Sequence, residues 1–376
     1  MSKRILYTAT SDIHLKAFHF PYLRWFQNHG YEVHLAIENR GNIDLSFCDQ
    51  VFYVPFKRSP LNFKNYQAFK KLSEIINHFD YSLIHCHTPS ASAITRLSSM
   101  KKFKKGTPVL YTSHGFHFSE EAPFYNWFLY YPVEKILSRY SSGIVTINTE
   151  DYQIARDRIG NPNIYQISGI GIDTEKFNKV LSFNKSELRR KYTISQSDFI
   201  LLYVADFIPR KNHSFLLNAL LILKENLPSL KLSLVGTGID LDKMKSKATY
   251  MGLNEHVEFL GWREDVNYLA RIADVGVSSS KLEGLGLGLA ETMFCGAPIV
   301  ASKTKGHKEL VKHGENGFLF DLKDDKEFCD YVMYLYNNDH VRERMGEKSQ
   351  EKAHDFRLEN SIMQMGKIYK TYLNHK

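Results

Sequence analysis

No stretch of this chain approaches the ~18 uninterrupted apolar residues that a membrane-spanning helix needs. Its opening, MSKRILYTATSDIH, carries basic residues but no long apolar run ahead of Asp12 and His14, so it predicts a first strand and not a signal peptide. Cysteine is scarce. Cys48, Cys86, Cys295 and Cys329 lie far apart with no CxxC pair, a usage that suits a reducing cytosol. There is no GxxxxGK[ST], hence no Walker loop. No helix-turn-helix, zinc-finger or RNP pattern supports nucleic-acid binding. Internal repeats and low-complexity segments are absent as well.

What is present is ordinary in bulk and uneven in placement. Apolar residues make up 43% and charged residues 24%, as in a soluble globular protein, and 376 residues predict two domains. The net charge is +8. Twelve Lys/Arg against five Asp/Glu place +7 of it within residues 51–140, in PFKRSP, KNYQAFKK and KKFKK. Two readings stand for that stretch: a solvated face, or attraction to anionic lipid, where each base adds about 1 kcal/mol.

Strand and helix patterns alternate in two series. RILYTAT, EVHLAI, YSLIHCH, PVLYTS and GIVTIN read as strands, with helices at FPYLRWFQNHG, 62–79 and 126–139 between them. The chain then turns polar and irregular through NKVLSFNKSELRRKY, which sets a domain boundary near residue 178. A second series follows: FILLYVADF, LKLSLVGTG, HVEFLG, DVGVSSS, PIVAS and NGFLF. Such alternation predicts α/β domains with parallel, doubly wound sheets, whose ligands lie beyond the carboxyl ends of the strands.

Several stretches at those ends could carry chemistry. EGLGLGLAET sets Glu283 and Glu291 eight residues apart around a strand-to-helix connection. Gly284, Gly286 and Gly288 there let backbone N–H groups approach an anion at a helix amino end, with Leu287 among them. The alternative is two acids that merely complement the helix dipole. Arg210 and Lys211 stand just before a helix starting at Asn212 or His213, where cations oppose the dipole unless an anion binds. A further glycine turn, LVGTG, contains Gly236. Histidines gather as HCH at 85–87 and SHGFHF at 113–118, after predicted strands. His85, Cys86, His87, His114 and His117 are possible zinc ligands, but neighbouring strand residues face opposite ways, and neither CxxC nor HExxH occurs. Asp240 and Asp242 of DLD open a helix, where acids act as caps.

Together these pieces resemble the retaining glycosyltransferases of family 4, which have the GT-B fold. Glu283 and Glu291 match the family's E-x7-E motif, and IGIDTEKF resembles its G-[IV]-D-x-x-x-F segment. FLGWREDV and KGHKELVKHGENGFLF resemble second-domain stretches. TSHGFHF, NWFLYYPVEKILSRY and GIVTINTEDYQIAR are similar to the branch making bacterial capsular and exopolysaccharides. The resemblance implies two facing Rossmann-like doubly wound domains with an interdomain cleft. Residues 1–178 would bind the acceptor and 179–359 the nucleotide-sugar, while a helix at 360–376 packs back on the first domain. It also implies a hexose or N-acetylhexosamine moved with retention from a nucleotide-sugar, UDP-linked in this branch, to a lipid-linked saccharide acceptor. The setting would be cytoplasmic, peripheral on an anionic membrane surface, with neither a metal nor a cofactor expected and no nucleic-acid partner. A nucleotide-sugar epimerase, and a non-catalytic nucleotide-sugar- or nucleic-acid-binding protein, are the rival functions.

Carried over by residue, Glu291 would hydrogen-bond the ribose, and Glu283 would meet the donor sugar near the reacting carbon. Lys211 would bind phosphate, His114 would reach the sugar, and the 10–14 segment with Asp12 and His14 would replace the family's first glycine-rich loop. His117 joins that diphosphate or acceptor region. The chain departs from the family at Asp206, where Arg is common and Arg210 could substitute. It departs again at Gly286 and Thr292, where proline and alanine are common, and in lacking the first loop's glycine pair.

Overall fold

The computed structural model describes residues 3–57, 59, 62–119 and 122–374. The chain divides into two compact units: residues 1–170 with 359–376, and residues 171–358.

In the first unit, β1 (Arg4–Ser11), β2 (Glu32–Glu38), β3 (Gln50–Tyr53), β4 (Leu83–His87), β5 (Val109–Ser113), β6 (Gly143–Thr146) and β7 (Ile164–Gln166) form one parallel sheet. Their order is β3-β2-β1-β4-β5-β6-β7, which reverses direction between β1 and β4. Central strands such as IYQ's neighbour GIVT and the β5 run VLYTS are buried throughout, as parallel strands covered on both faces must be. The edge strands β3 and β7 are three or four residues long and half exposed, too short to leave a pattern in the sequence. The helix Leu358–Leu373 belongs to this unit: Tyr369 packs against Trp25 and Phe26, and its hydroxyl lies 3.0 Å from His85 Nδ1.

In the second unit, β8 (Phe199–Val204), β9 (Leu230–Val235), β10 (Val257–Gly261), β11 (Val275–Ser278), β12 (Ile299–Ser302) and β13 (Gly317–Phe320) are again parallel. Their order is β10-β9-β8-β11-β12-β13, so the reversal lies between β8 and β11. Leucines of β8, β9 and the helix His213–Leu223 fill the core beneath it.

Two expectations need correction. The boundary near residue 178 falls inside a helix, Thr174–Leu181, which Asp173 caps and whose Phe177 packs on Phe294. The division lies at Ile170/Gly171 instead. The 10–14 segment is also not a loop. β1 runs to Ser11, whose Oγ caps the helix Asp12–Phe18 by accepting from His14 N.

Candidate active site

In the second unit the carboxyl ends of β8 and β11, the two strands at the reversal, carry two loops that brace each other. Lys281 N donates to Arg210 O at 2.9 Å, and Ser279 Oγ donates to Asn212 O at 2.9 Å. Arg210 NH1 donates to Leu282 O at 2.7 Å. Asn212 takes a left-handed backbone (φ 54°) that turns the short 3-10 segment Pro209–Lys211 into the helix starting at His213. Lys211 is thereby delivered to Glu283.

Glu283 is buried, and Lys211 Nζ donates to its Oε1. Ser280 Oγ donates to the same oxygen at 2.7 Å, and Arg210 NH1 lies 3.4 Å from Oε2. Burial would push this carboxyl up; Lys211 and Arg210 overrule it and hold it down at about 2. The group is a permanently ionised, pre-positioned acid. Tyr203 steadies the arrangement from below, its hydroxyl 2.9 Å from both Lys211 O and Ser280 Oγ.

Past Glu283 the chain turns through Gly284 and Gly286 into the helix Leu287–Phe294, with Gly286 at the cap position in a left-handed conformation (φ 102°). Glycine is needed nearby for space as well. A Cβ on Gly288 would come within 2.7 Å of Val204 O, and one on Gly306 within 2.6 Å of Leu285 N. Gly236 holds β9's exit loop equally tightly, since a Cβ there would stand 2.1 Å from Ala205 O. Glu291 lies in the helix's second turn, half-buried, with no hydrogen bond to its carboxylate among the described residues. Burial raises it to about 7, with Lys176 pulling down and Asp173 pushing up. The two acids that bracket the glycines therefore differ sharply, one fixed as an anion and one poised to titrate near neutrality. Asp206 is exposed at the end of β8, and Arg210 already serves Leu282 and Glu283.

His307, which the sequence reading passed over, sits fully buried under the same loop. Its Nδ1 donates to Ser302 O at 2.8 Å, so Nε2 carries the lone pair and has no partner among the described residues. A Cβ on Gly286 would lie 3.4 Å from that nitrogen. Nothing in KGHKEL marks this histidine apart from its neighbours.

In the first unit the reversal between β1 and β4 gathers imidazoles. His87 Nδ1 lies 3.2 Å from His114 Nε2, and His14 Nε2 lies 3.2 Å from His19 Nε2. His19 was not singled out from the sequence, although it follows His14 by five residues in the first helices after β1. His117 stands apart from this group, stacked on Tyr130 at 4.8 Å. Asp12 plays a structural part here. Its buried carboxylate accepts backbone N–H groups from Ile13, Arg40, Gly41 and Ile43 at 2.9–3.3 Å. Both oxygens are committed to holding the turn after β2. Those N–H groups outweigh burial and lower its pKa.

Asp240 and Asp242 open the helix Leu241–Tyr250.

Two doubly wound parallel α/β units, with charged side chains at the reversal of the second sheet, define the GT-B class. The comparisons give the family. The model of the group 1 glycosyl transferases matches residues 184–352, and that of the glycosyl transferase 4-like domain matches residues 4–148. The chain is 39% identical to the putative glycosyltransferase EpsD of Bacillus subtilis, over all of this chain and 98% of that one. It is 25% identical to an Escherichia coli enzyme, UDP-Gal:alpha-D-GlcNAc-diphosphoundecaprenol alpha-1,3-galactosyltransferase, over 81% of this chain and 80% of that one. The fold matches that of Anabaena HepE, solved with UDP and glucose, at a TM-score of 0.76 and 21% identity, covering 98% and 99% of the two chains. The protein belongs to the group 1 glycosyltransferases, family 4, and is an enzyme of that kind.

Proposed function

We propose that the enzyme transfers a hexose or N-acetylhexosamine, with retention, from a UDP-sugar to a lipid-linked saccharide during surface-polysaccharide assembly. The observation that carries this reading is Glu283, an acid kept ionised by Lys211 and Arg210 at the mouth of a glycine turn. HepE's complex with UDP, full-length similarity to EpsD, and an Escherichia coli relative whose substrate is a diphosphoundecaprenol-linked sugar support the donor and acceptor classes.

Glu291 takes the ribose hydroxyls, and Lys211 leaves Glu283 in part to meet the departing phosphate. Gly284, Gly286, Leu287 and Gly236 shape the backbone around the nucleotide. Glu283 stabilises positive character on the anomeric carbon. The acceptor hydroxyl oxygen bonds that carbon as its bond to the phosphate oxygen breaks, and the phosphate takes the hydroxyl proton. Fixed charges aimed at developing charge do the catalytic work. Acceptor capture is peripheral, on the inner face of the cell membrane. The helix Phe124–Leu137 turns Phe124, Tyr125, Phe128 and Leu129 outward in one stripe, while Trp127 packs on Phe118. Among the described residues no helix is long and apolar enough to cross a membrane.

The test is UDP release from UDP-sugars with and without lipid-linked acceptor. Release only with acceptor is expected. Interconversion of the donor sugar without acceptor would indicate an epimerase instead. Glu283→Gln should lower transfer by about 10²-fold while leaving UDP binding nearly intact; undiminished transfer would remove Glu283 from the mechanism.

A further inference from the structure

The three rings of His14, His19 and His114 form a near-equilateral triangle, with centroids 5.0, 5.1 and 5.0 Å apart. One ring nitrogen from each lies within 4.8 Å of the other two. The tightest pair, His14 Nε2 and His19 Nε2, is 3.2 Å apart. A tetrahedral metal bound at 2.0–2.1 Å to imidazoles separates its ligand nitrogens by about 3.3 Å. That pair already has the required edge, and a rotation of roughly 1.5 Å at the third nitrogen closes the set.

The surroundings fit as well. Tyr7 is fully buried and its hydroxyl lies 2.8 Å from His19 Nδ1, the outer partner that fixes a ligating imidazole's tautomer and frees Nε2. His114 Nδ1 is buried with no partner among the described residues, and so is His87 Nε2 in the ring beside it. A cavity of about 10 Å³, lined by His19, His85, His87, His114 and Tyr7, adjoins them and holds one water-sized atom. His14 and His114 are partly exposed, which gives an entry path.

We infer that His14, His19 and His114 form a three-imidazole site for a divalent transition metal of the zinc class, with a fourth position open to water or an anionic oxygen. The all-nitrogen set excludes magnesium or calcium as occupant, because both require oxygen ligands. Asp12, the nearest acid in the chain, is taken up by backbone N–H groups.

The inference stands apart from the donor-site reading, whose residues all lie in the second unit. It is tested without donor or acceptor. The tag-free full chain, stripped with chelator, is titrated with Zn²⁺ by calorimetry and with Co²⁺ by visible absorption. One equivalent bound, with the intense d–d bands of tetrahedral Co²⁺, is expected. His14→Gln and His19→Gln should each weaken binding by about 10²-fold, and Tyr7→Phe by about tenfold. His313→Ala, which alters a histidine set edge-on to Phe318 and Tyr331 in the second unit, should leave uptake unchanged. Circular dichroism verifies that each variant folds, with His14→Gln, at a partly exposed position, as the safer one. No uptake of either metal, or uptake undiminished in both histidine variants, overturns the inference.

Discussion

Glu291 is set to report on its own ligand. Its carboxyl is raised to about 7 because burial disfavours the charged form, and no hydrogen bond among the described residues compensates. On the proposed reading two ribose hydroxyls donate to it and favour the ionised form, so nucleotide binding should release a proton. The sign follows directly. Above about pH 7 the group is already ionised, and affinity is level; below it a proton must first be lost, and UDP affinity should fall by up to tenfold per unit. Calorimetry in buffers of different ionisation enthalpy measures the released proton, and Glu291→Gln should flatten the profile. Glu283 gives the contrast. Held at about 2, it stays an anion throughout that range and adds no such dependence. The E-x7-E spacing was legible in the sequence, but this asymmetry was not. It comes from Lys211, 72 residues away, which holds Glu283 down, and from the burial that raises Glu291. His19 escaped for a similar reason: a histidine's chemistry depends on which rings the fold brings to it.

At the level of elements, the donor loops depend on close backbone approach. Gly288→Ala would press a methyl against Val204 O and lift the helix Leu287–Phe294 off the end of β8. A loss of about 1–3 kcal/mol in urea unfolding is expected, with weaker UDP binding. Gly252→Ala, where φ is +64° but nothing lies within 4 Å, should cost about 1 kcal/mol and leave UDP binding alone. The β-rich, parallel character of both sheets was readable because buried strands such as FILLYV are apolar runs between polar helices. The short edge strands QVFY and IYQ left no comparable trace. Residues 10–14 were misread as a loop because one serine, Ser11, both ends β1 and caps the following helix.

For the whole molecule, the charge excess and the aromatic stripe make one prediction together. Replacing Phe124, Phe128 and Leu129 with Ser should reduce sedimentation with anionic vesicles at low salt, while transfer to a detergent-solubilised acceptor persists. The replacements remove exposed apolar area of the first unit and leave its packed Trp127 in place. Equal binding by the variant and the parent would remove this helix from the membrane reading. The aromatics of FYNWFLYY do not all face one way. Helical geometry divides them, sending Trp127 inward and its neighbours out.

The chain enters and leaves the second unit at a single place. Gly171 lies so close to Leu358 that a Cβ would stand 2.4 Å from its Cα, and Ile172 exchanges backbone hydrogen bonds with Phe356 and Leu358. The second unit is thus inserted whole into the first, whose closing helix is made only after that unit. During synthesis the surface around Trp25, Phe26 and His85 stays uncovered until Tyr369 arrives, after the inserted unit has been made. A nascent chain of this design needs protection longest at its earliest-made half.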